Sequence, residues 1–148
     1  MKDTQEIHDS LFKKIQTLQL ATTSVSGEPN ASYAPFIRDS SGSLYIFVSG
    51  LAKHTQNLLE TGQAAVLIIE DEQDCRQIFA RNRISYQCSV SKINKDDTRY
   101  AVLLDQMEDV FGNTLGLLRN LADFSLLKLQ PVSGQIVTGF GQAYPLSI

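Results

Sequence analysis

The spacing of apolar residues divides the chain into a leading helix, a β-rich body and a later helical segment. In the stretch "DTQEIHDSLFKKIQTL", apolar residues recur every three to four positions, which predicts an amphipathic helix that begins at an Asp3 or Thr4 cap. These apolar positions are Ile7, Leu11, Ile15 and Leu18. The first element is therefore expected to be a helix packed on one face.

From Gln19 onwards the period changes to two, which is typical of β-strands. The strands "QLATTSVS", "ASYAPFIRD" and "SLYIFVSG" are separated by the turn signals "SGEPN" and "SSG". This order predicts an antiparallel meander of three strands. A short helix is expected next, from Lys53 to Thr61, with Gly62 in the position that helices favour for their C-cap.

The middle of the chain alternates strands with short connections. The stretch "QAAVLIIEDE" is almost wholly apolar, so it predicts a strand that is covered on both faces, as the interior of a barrel would provide. The stretch "EDEQDCRQIFARN" is expected to form a short helix or turn. The stretch "RISYQCSVSKI" then alternates, which predicts a half-buried strand with Ile84, Tyr86, Cys88 and Val90 on its apolar side.

The last third of the chain predicts one helix and two strands. The stretch "DDTRYAVLLDQMEDVFG" carries a helical apolar stripe that Gly112 can end, and the tail from Asp123 is expected to form two strands around the turn signal "PVSG". The stripe consists of Tyr100, Leu103, Leu104, Met107 and Phe111. The whole pattern predicts a mainly β fold with flanking helices, a split β-barrel of six to seven mostly antiparallel strands.

Composition narrows the class of protein. A chain of 148 residues with 43% hydrophobic content is sufficient for one core, so residues 1–148 are expected to form a single domain. The net charge of -3 and the absence of a basic block argue against nucleic acid or an anionic membrane surface as a partner. No apolar stretch reaches membrane-spanning length and the N-terminal sequence is polar, so a cytoplasmic location is expected.

Few residues are available for metal or nucleophilic chemistry. Cys75 and Cys88 lack CxxC spacing, and His8 and His54 are the only histidines, so no zinc site is expected. The sequence also lacks a GxSxG elbow, a P-loop and a GxGxxG motif after a strand.

The segment "LAKHTQNLL" is the clearest candidate for a binding site. Lys53, His54, Thr55 and Asn57 crowd the first turn of the short helix, directly after a strand that ends at Ser49, which is itself a candidate cofactor-binding residue. The free N–H groups and positive dipole end of a helix start attract phosphate or carboxylate, and Lys53 adds a full charge. The alternative is that Thr55 or Asn57 caps the helix and that Lys53 is a solvated charge.

Five segments resemble, in order and spacing, the FMN-binding split barrels of the pyridoxamine-5'-phosphate-oxidase-like superfamily, and within it the haem-utilisation branch of the HugZ/HutZ type. They are "ASYAPFI", "LAKHTQNL", "IFARNRISYQC", "ADFSLLKLQP" and "GQIVTGFGQAY". The resemblance covers nearly the whole chain. It implies a homodimer with a six-stranded split barrel and two ligand sites at the subunit interface, holding FMN or, in the haem-utilisation branch, haem.

The resemblance also implies roles for single residues. Lys53 and His54 occupy the positions where flavin oxidases of the superfamily place an Arg-Lys pair on the phosphate. Ser32, Tyr33, Ala34 and Pro35 correspond to the strand that lies against the ligand's ring system, although an ordinary strand with an edge or bulge at Pro35 fits the same residues.

Three further positions follow from the same resemblance. Arg81 and Arg83 stand where a guanidinium could bind a phosphate or a haem propionate in bidentate fashion, with Arg83 preferred, although surface arginines are common. Asp123 matches an acid that supports the axial histidine of the haem-utilisation branch.

The axial histidine itself has no counterpart in this sequence. In the haem-utilisation branch it lies beyond the "GFGQAY" strand, where this sequence continues only with "PLSI". This difference favours FMN over haem as the expected cofactor. Three hypotheses remain: an FMN-dependent oxidoreductase, a haem-degrading enzyme with another iron ligand, and a non-enzymatic haem or flavin carrier.

Overall fold

One antiparallel sheet dominates the structure, a computed structural model that describes residues 3–148. Its eight strands in this range are β1 (Thr17–Thr23), β2 (Pro29–Pro35), β3 (Ile37–Arg38), β4 (Leu44–Ser49), β5 (Gln63–Ile69), β6 (Arg83–Ile93), β7 (Phe124–Gly139) and β8 (Gln142–Leu146). The helices are α1 (Thr4–Lys14), α2 (Lys53–Thr61), α3 (Thr98–Phe111) and α4 (Asn113–Leu118). Two 3-10 turns, Glu72–Asp74 and Ile78–Ala80, lie between β5 and β6.

The sheet closes because one segment of chain supplies both of its ends. The strand order is β2-β1-β5-β6-β7-β4-β3, and only Phe36 separates β2 from β3. The segment 29–38 therefore pairs with β1 through its first part and with β4 through its second part. Six strand positions thus surround the core, while β8 pairs with β7 outside this ring. The predicted mainly β split barrel is confirmed, and so are the three-stranded meander and the helix from Lys53 to Thr61.

Two predicted boundaries are wrong. The first helix ends at Lys14, because Ile15 adopts extended backbone angles and Leu18 already belongs to β1. The stretch "PVSG" is not a turn, because β7 runs through it without interruption and pairs with β6. A register shift at Gln87/Cys88 accommodates Pro131, which has no N–H to donate. The true turn follows Gly139, where Gly141 has a φ of +66°.

The strand β5 is covered on one face only within a single chain. Its inward residues Ala64, Val66 and Ile68 are buried, whereas Ala65 and Leu67 on the outward face are only partly buried. The expectation of full coverage on both faces is therefore wrong for the isolated chain.

The core has two parts. Leucine, isoleucine and valine side chains fill the barrel interior, together with Tyr86 and Cys88. A second cluster joins α3 and α4 to β4, and it contains the predicted stripe residues Leu103, Leu104 and Met107. Of the helices in residues 3–148, none is both long enough and apolar enough to cross a membrane.

Candidate ligand site

The turn that leads into α2 is held by the segment before β7. The Gly50 N–H donates to the carbonyl oxygen of Asp123 across 2.6 Å. A Cβ at position 50 would lie 2.8 Å from that oxygen, so only glycine allows the approach. Ser49 Oγ donates to Asp123 Oδ2 at 3.3 Å and accepts from the Leu51 N–H at 3.1 Å. The structure therefore brings Ser49 and Asp123 together at the entrance to α2.

His54 contacts β2 in the first turn of α2. Its Nδ1 lies 2.7 Å from Ser32 Oγ, and this pair joins residues that are 22 positions apart in sequence. Burial lowers the pKa of His54 below its usual value, which keeps the imidazole neutral at pH 7. His54 is only partly buried. The two positions where flavin oxidases carry an Arg-Lys pair therefore hold one cation, Lys53, and one neutral ring, His54.

Lys53 is exposed and makes an ion pair. Its Nζ lies 3.2 Å from Glu28 Oε1, and the two side chains are 55% and 67% exposed. Such a pair contributes little to stability, so Lys53 can exchange Glu28 for a ligand anion. The backbone N–H groups of Lys53 and His54 make no hydrogen bond within the described residues. The N-cap is Ala52, which has no side chain that could satisfy them.

Thr55 and Asn57 point away from solvent, which corrects the interpretation that one of them caps the helix. They are 1% and 3% exposed, and neither caps the helix. Asn57 Nδ2 donates to Thr22 Oγ1 across 3.0 Å inside the structure. Thr55 Oγ1 is buried without a hydrogen-bond partner in the described chain. Asn57 thus joins α2 to β1 and does not face a ligand from solvent.

The four predicted residues of β2 divide between the two faces of the sheet. Ala34 is 2% exposed and belongs to the barrel core, and Ser32 shares its inward direction. Tyr33 is 65% exposed, and Pro35 is exposed at the end of the strand. A single ligand on one face of β2 would therefore contact at most half of this set.

The two arginines have different surroundings. Arg81 Nε donates to the backbone carbonyl of Glu70 at 3.0 Å, and its Nη2 donates to the same oxygen, so Arg81 holds the loop between β5 and β6. Among residues 3–148, the side chain of Arg83 makes one hydrogen bond, from Nη1 to the Arg81 carbonyl at 3.1 Å. This leaves most of the five N–H donors of Arg83 available.

Arg83 lines a groove of about 340 Å³ on the outer side of β6, β7 and β8. Phe79 and Phe140, which are 83% and 68% exposed, also line it. Ser85, Gln135 and Gln142 add polar groups to the same groove. A groove lined by a cation, exposed aromatic rings and amides suits a flat ligand that carries an anionic group.

Arg83 and His54 do not meet within one chain. Ser32, the partner of His54, lies on β2, and Arg83 lies on β6, three strands away in the sheet order. At about 4.8 Å per strand, this corresponds to roughly 14 Å along the sheet. Ser32 faces inward, whereas Arg83 faces outward beside the buried Ile84. The predicted site residues therefore form two groups on opposite faces.

Several residues that contact the predicted site residues, or line the same groove, were not predicted from the sequence. Glu28 and Thr22 are the partners of Lys53 and Asn57, and strand pairing across the meander is needed to find them. Phe79 lay within a predicted turn, and Gly139 and Gly141 flank Phe140 in the sequence. That glycine pair was a signal for an exposed hairpin tip. A larger cavity of about 820 Å³ between α1, the 70–82 loop and β8 contains none of the predicted site residues.

Comparison with known proteins agrees with this architecture. The sequence profile of the pyridoxamine 5'-phosphate oxidase family matches residues 4–138. The chain belongs to this family. The match covers the strands of the barrel ring except for the last residue of β7.

Relatives within the family are named for haem. The chain is 40% identical over 132 residues to heme oxygenase HutZ of Vibrio cholerae serotype O1, a match that covers 89% of this chain and 74% of that protein. A crystal structure of HutZ, described as a heme storage protein, superposes with a TM-score of 0.86 at 34% identity, covering 95% of this chain and 99% of that chain. The crystal structure of Campylobacter jejuni ChuZ superposes with a TM-score of 0.85 at 28% identity, over 99% of this chain and 61% of that chain.

Proposed function

We propose that the protein binds haem and that Arg83 contacts a haem propionate. The observation that carries this is that Arg83 lines a groove together with two exposed phenylalanines, in a chain 40% identical to a haem oxygenase. An arginine fork matches a carboxylate geometrically, and exposed rings supply apolar contact for a macrocycle. Bound haem would supply an iron centre for oxygen chemistry.

We further propose that the protein is a homodimer whose ligand sites combine residues of two chains. Arg83 and His54 lie on opposite faces of one sheet, so one chain cannot place both on the same ligand. The outward face of β5 presents Leu67 and Ala65, and the paired strands β1 and β2 add Ala21, Ala31 and Tyr33. Burying such a face against a second chain would remove apolar surface from water.

FMN is the second candidate, and the start of α2 favours it. The free N–H groups of Lys53 and His54, together with the Lys53 charge, suit a phosphate group. The buried, unpartnered Thr55 Oγ1 adds an available polar group to the same turn. In this case the flavin would supply redox chemistry and the protein would act as an oxidoreductase.

Ligand titration of the purified protein tests both candidates. Haemin and FMN are added separately while the visible spectrum and the flavin fluorescence are recorded. Haem binding is expected to give a saturable Soret band at one haem per chain. A saturable quench of FMN fluorescence without such a band would overturn the haem proposal in favour of the flavin.

The variant Arg83→Ala tests the proposed contact, and Arg76→Ala is its matched control because Arg76 lines only the larger cavity. Loss of a charge-assisted hydrogen bond is expected to cost about 1.5–3 kcal/mol in haem affinity. The control is expected to bind like the parent protein. Equal affinities of the two variants would show that Arg83 does not contact the propionate.

One further measurement distinguishes a haem-degrading enzyme from a haem carrier. The relatives are named both as an oxygenase and as a storage protein. We propose that the haem complex degrades its haem, and the test is to add a reductant and oxygen and follow the Soret band. Its decay to an open-chain tetrapyrrole would support an enzyme, whereas an unchanged complex would identify a carrier.

A further inference from the structure

The larger cavity, of about 820 Å³, lies beside the Arg83 groove and is distinct from it. The two share Ala80 and the tip of the β7–β8 hairpin around Phe140. Arg83 lines only the groove, whereas Arg76 lines only the larger cavity. A cavity of this volume is large enough for a small organic molecule. Neither the haem proposal nor the FMN proposal uses it.

Apolar and aromatic side chains line two sides of the larger cavity. On α1, Leu11 is 4% exposed, and Ile7 is partly buried against the same core. On the β7–β8 hairpin, Phe140 and Tyr144 also line the cavity, and they are 68% and 45% exposed. Exposed rings together with apolar side chains suit a ligand that has an aromatic body.

The loop between β5 and β6 forms a third side of the cavity, and contacts at its base hold it. The Glu70 N–H donates to the carbonyl oxygen of Asn82 at 3.0 Å. The Asn82 N–H donates in return to Glu70 Oε1 at 2.7 Å. Arg81 Nε adds a hydrogen bond of 3.0 Å to the Glu70 carbonyl oxygen. The base of this loop is therefore fixed by the fold itself, which lowers the cost of ordering it around a ligand.

Two of the four carboxylates that line the cavity serve the fold, and the other two do not. Asp3 Oδ1 accepts from the Glu6 N–H at 2.8 Å and caps α1, and Glu70 braces the loop. Asp71 makes no side-chain hydrogen bond to the 3-10 turn that it precedes. In the part of the chain that the structure describes, neither Asp71 nor Asp74 forms an ion pair. Their carboxylates are therefore available to a cationic group of a ligand.

Two cationic side chains line the same cavity from different elements. Lys14 lies in the last turn of α1, and Arg76 lies in the loop between β5 and β6. Both are exposed, and among the described residues neither forms an ion pair. The cavity thus holds charges of both signs that are not neutralised by each other. Each sign is available to a ligand group of the opposite charge.

We propose that the larger cavity is a second ligand site, which takes an aromatic molecule that carries one anionic and one cationic group. An aromatic amino acid is the simplest molecule of this class. The two cations bind its carboxylate, the two available carboxylates bind its ammonium group, and the exposed rings contact its aromatic body. The site does not depend on the haem binding proposed above, because Arg83 does not line it.

Fluorescence titration with three indole probes tests the site. The chain contains no tryptophan, so indole fluorescence comes from the probe alone. Tryptophan is a zwitterion, tryptamine lacks its carboxylate, and indole-3-propionate lacks its amino group. The parent protein is expected to bind tryptophan saturably and about 10-fold or more tightly than either of the other two probes, since each lacks one charge-assisted contact. No saturable binding of tryptophan, or equal affinities for the three probes, would overturn the proposal.

Paired substitutions test which side chains bind which group. Lys14→Ala combined with Arg76→Ala is expected to weaken tryptophan binding about 10-fold and to leave tryptamine binding unchanged. Asp71→Asn combined with Asp74→Asn is expected to weaken tryptophan binding to a similar degree and to leave indole-3-propionate binding unchanged. If either double variant weakens all three probes equally, the proposed recognition of both charges is wrong.

A matched control removes one lysine and one arginine that line neither cavity. Lys13→Ala combined with Arg99→Ala fits this purpose, because both side chains are exposed. This variant is expected to bind tryptophan like the parent protein. A loss as large as that in Lys14→Ala combined with Arg76→Ala would show that net charge alone accounts for the binding. The same loss in Arg83→Ala would place the probe in the groove, and either result would contradict a second site.

Discussion

Lys53 Nζ lies 3.2 Å from Glu28 Oε1, so the lysine expected to bind a ligand anion is already paired with a carboxylate. The pair bridges the start of α2 and the β1–β2 turn, 25 positions apart in sequence. Both side chains are exposed, and the attraction between them is weak in water. A ligand phosphate or propionate therefore competes with Glu28 for Lys53.

Replacing Lys53 and replacing Glu28 are expected to change the FMN affinity in opposite directions. Lys53→Ala is expected to weaken FMN binding by about 1.5–3 kcal/mol, because a charge-assisted contact is lost. Glu28→Gln is expected to strengthen FMN binding, since the competing carboxylate is removed. Fluorescence titration measures both, with the exposed Lys92 replaced by alanine as a control. An unchanged FMN affinity of the Lys53→Ala variant would show that Lys53 does not contact the phosphate.

The buried contact between Asn57 and Thr22 predicts a loss of stability. Asn57→Ala leaves Thr22 Oγ1 buried without its donor, and this is expected to lower the free energy of unfolding by about 1–3 kcal/mol. Urea unfolding measures the change. Replacement of the neighbouring exposed Gln56 by alanine is expected to have little effect. Equal stability of the two variants would contradict the role assigned to Asn57.

Stability is expected to depend on pH above 9 because of Cys88. Burial raises the pKa of its thiol from 9.0 to about 12. The unfolded chain therefore releases this proton at a lower pH than the folded chain, so the stabilising contribution is complete below pH 9 and declines as the pH rises towards 12. Urea unfolding at several pH values is expected to show a shallower decline for Cys88→Ala. An identical decline of stability in the parent protein and in Cys88→Ala would show that Cys88 does not cause this pH dependence.

Because Leu67 lies on the outward face of β5, a charge at this position is expected to disrupt the proposed dimer. Leu67→Arg places a cation at the centre of the proposed dimer interface and is expected to yield monomers in light scattering. Val102→Arg is the matched control, because Val102 is 55% exposed and belongs to α3 and not to the sheet. A parent protein that is itself monomeric would contradict the dimer, as would a Leu67→Arg variant that remains dimeric.

A mixture of two variants that each have impaired haem binding tests whether each site uses residues of two chains. If haem is held by Arg83 of one protomer and His54 of its partner, a mixed dimer of Arg83→Ala and His54→Ala chains has one intact site and one site with both defects. Refolding the two variants together is therefore expected to recover parent-like haem binding in a fraction of the sites. Recovery no greater than the sum of the two separate variants would indicate that the sites do not span two chains.

The periodicity of the sequence predicted most elements because local patterns determine them. The alternation in β6 and the stripe in α3 each reflect burial of one face. The errors occurred where local patterns are ambiguous. An apolar run continues from α1 into β1 without a break in spacing, and "PVSG" resembles a turn although its pairing with β6 keeps it extended.

The sequence by itself determined the family, the split barrel and a basic helix start after β4. Only the tertiary structure decided which of these side chains face a ligand. Asn57 and Thr55 turn inward, Arg81 binds the Glu70 carbonyl, and Arg83 and His54 lie on opposite faces of the sheet. The physical reason is that a side chain's direction depends on strand pairing and helix packing between residues far apart in the chain, and such contacts leave no local pattern in the sequence.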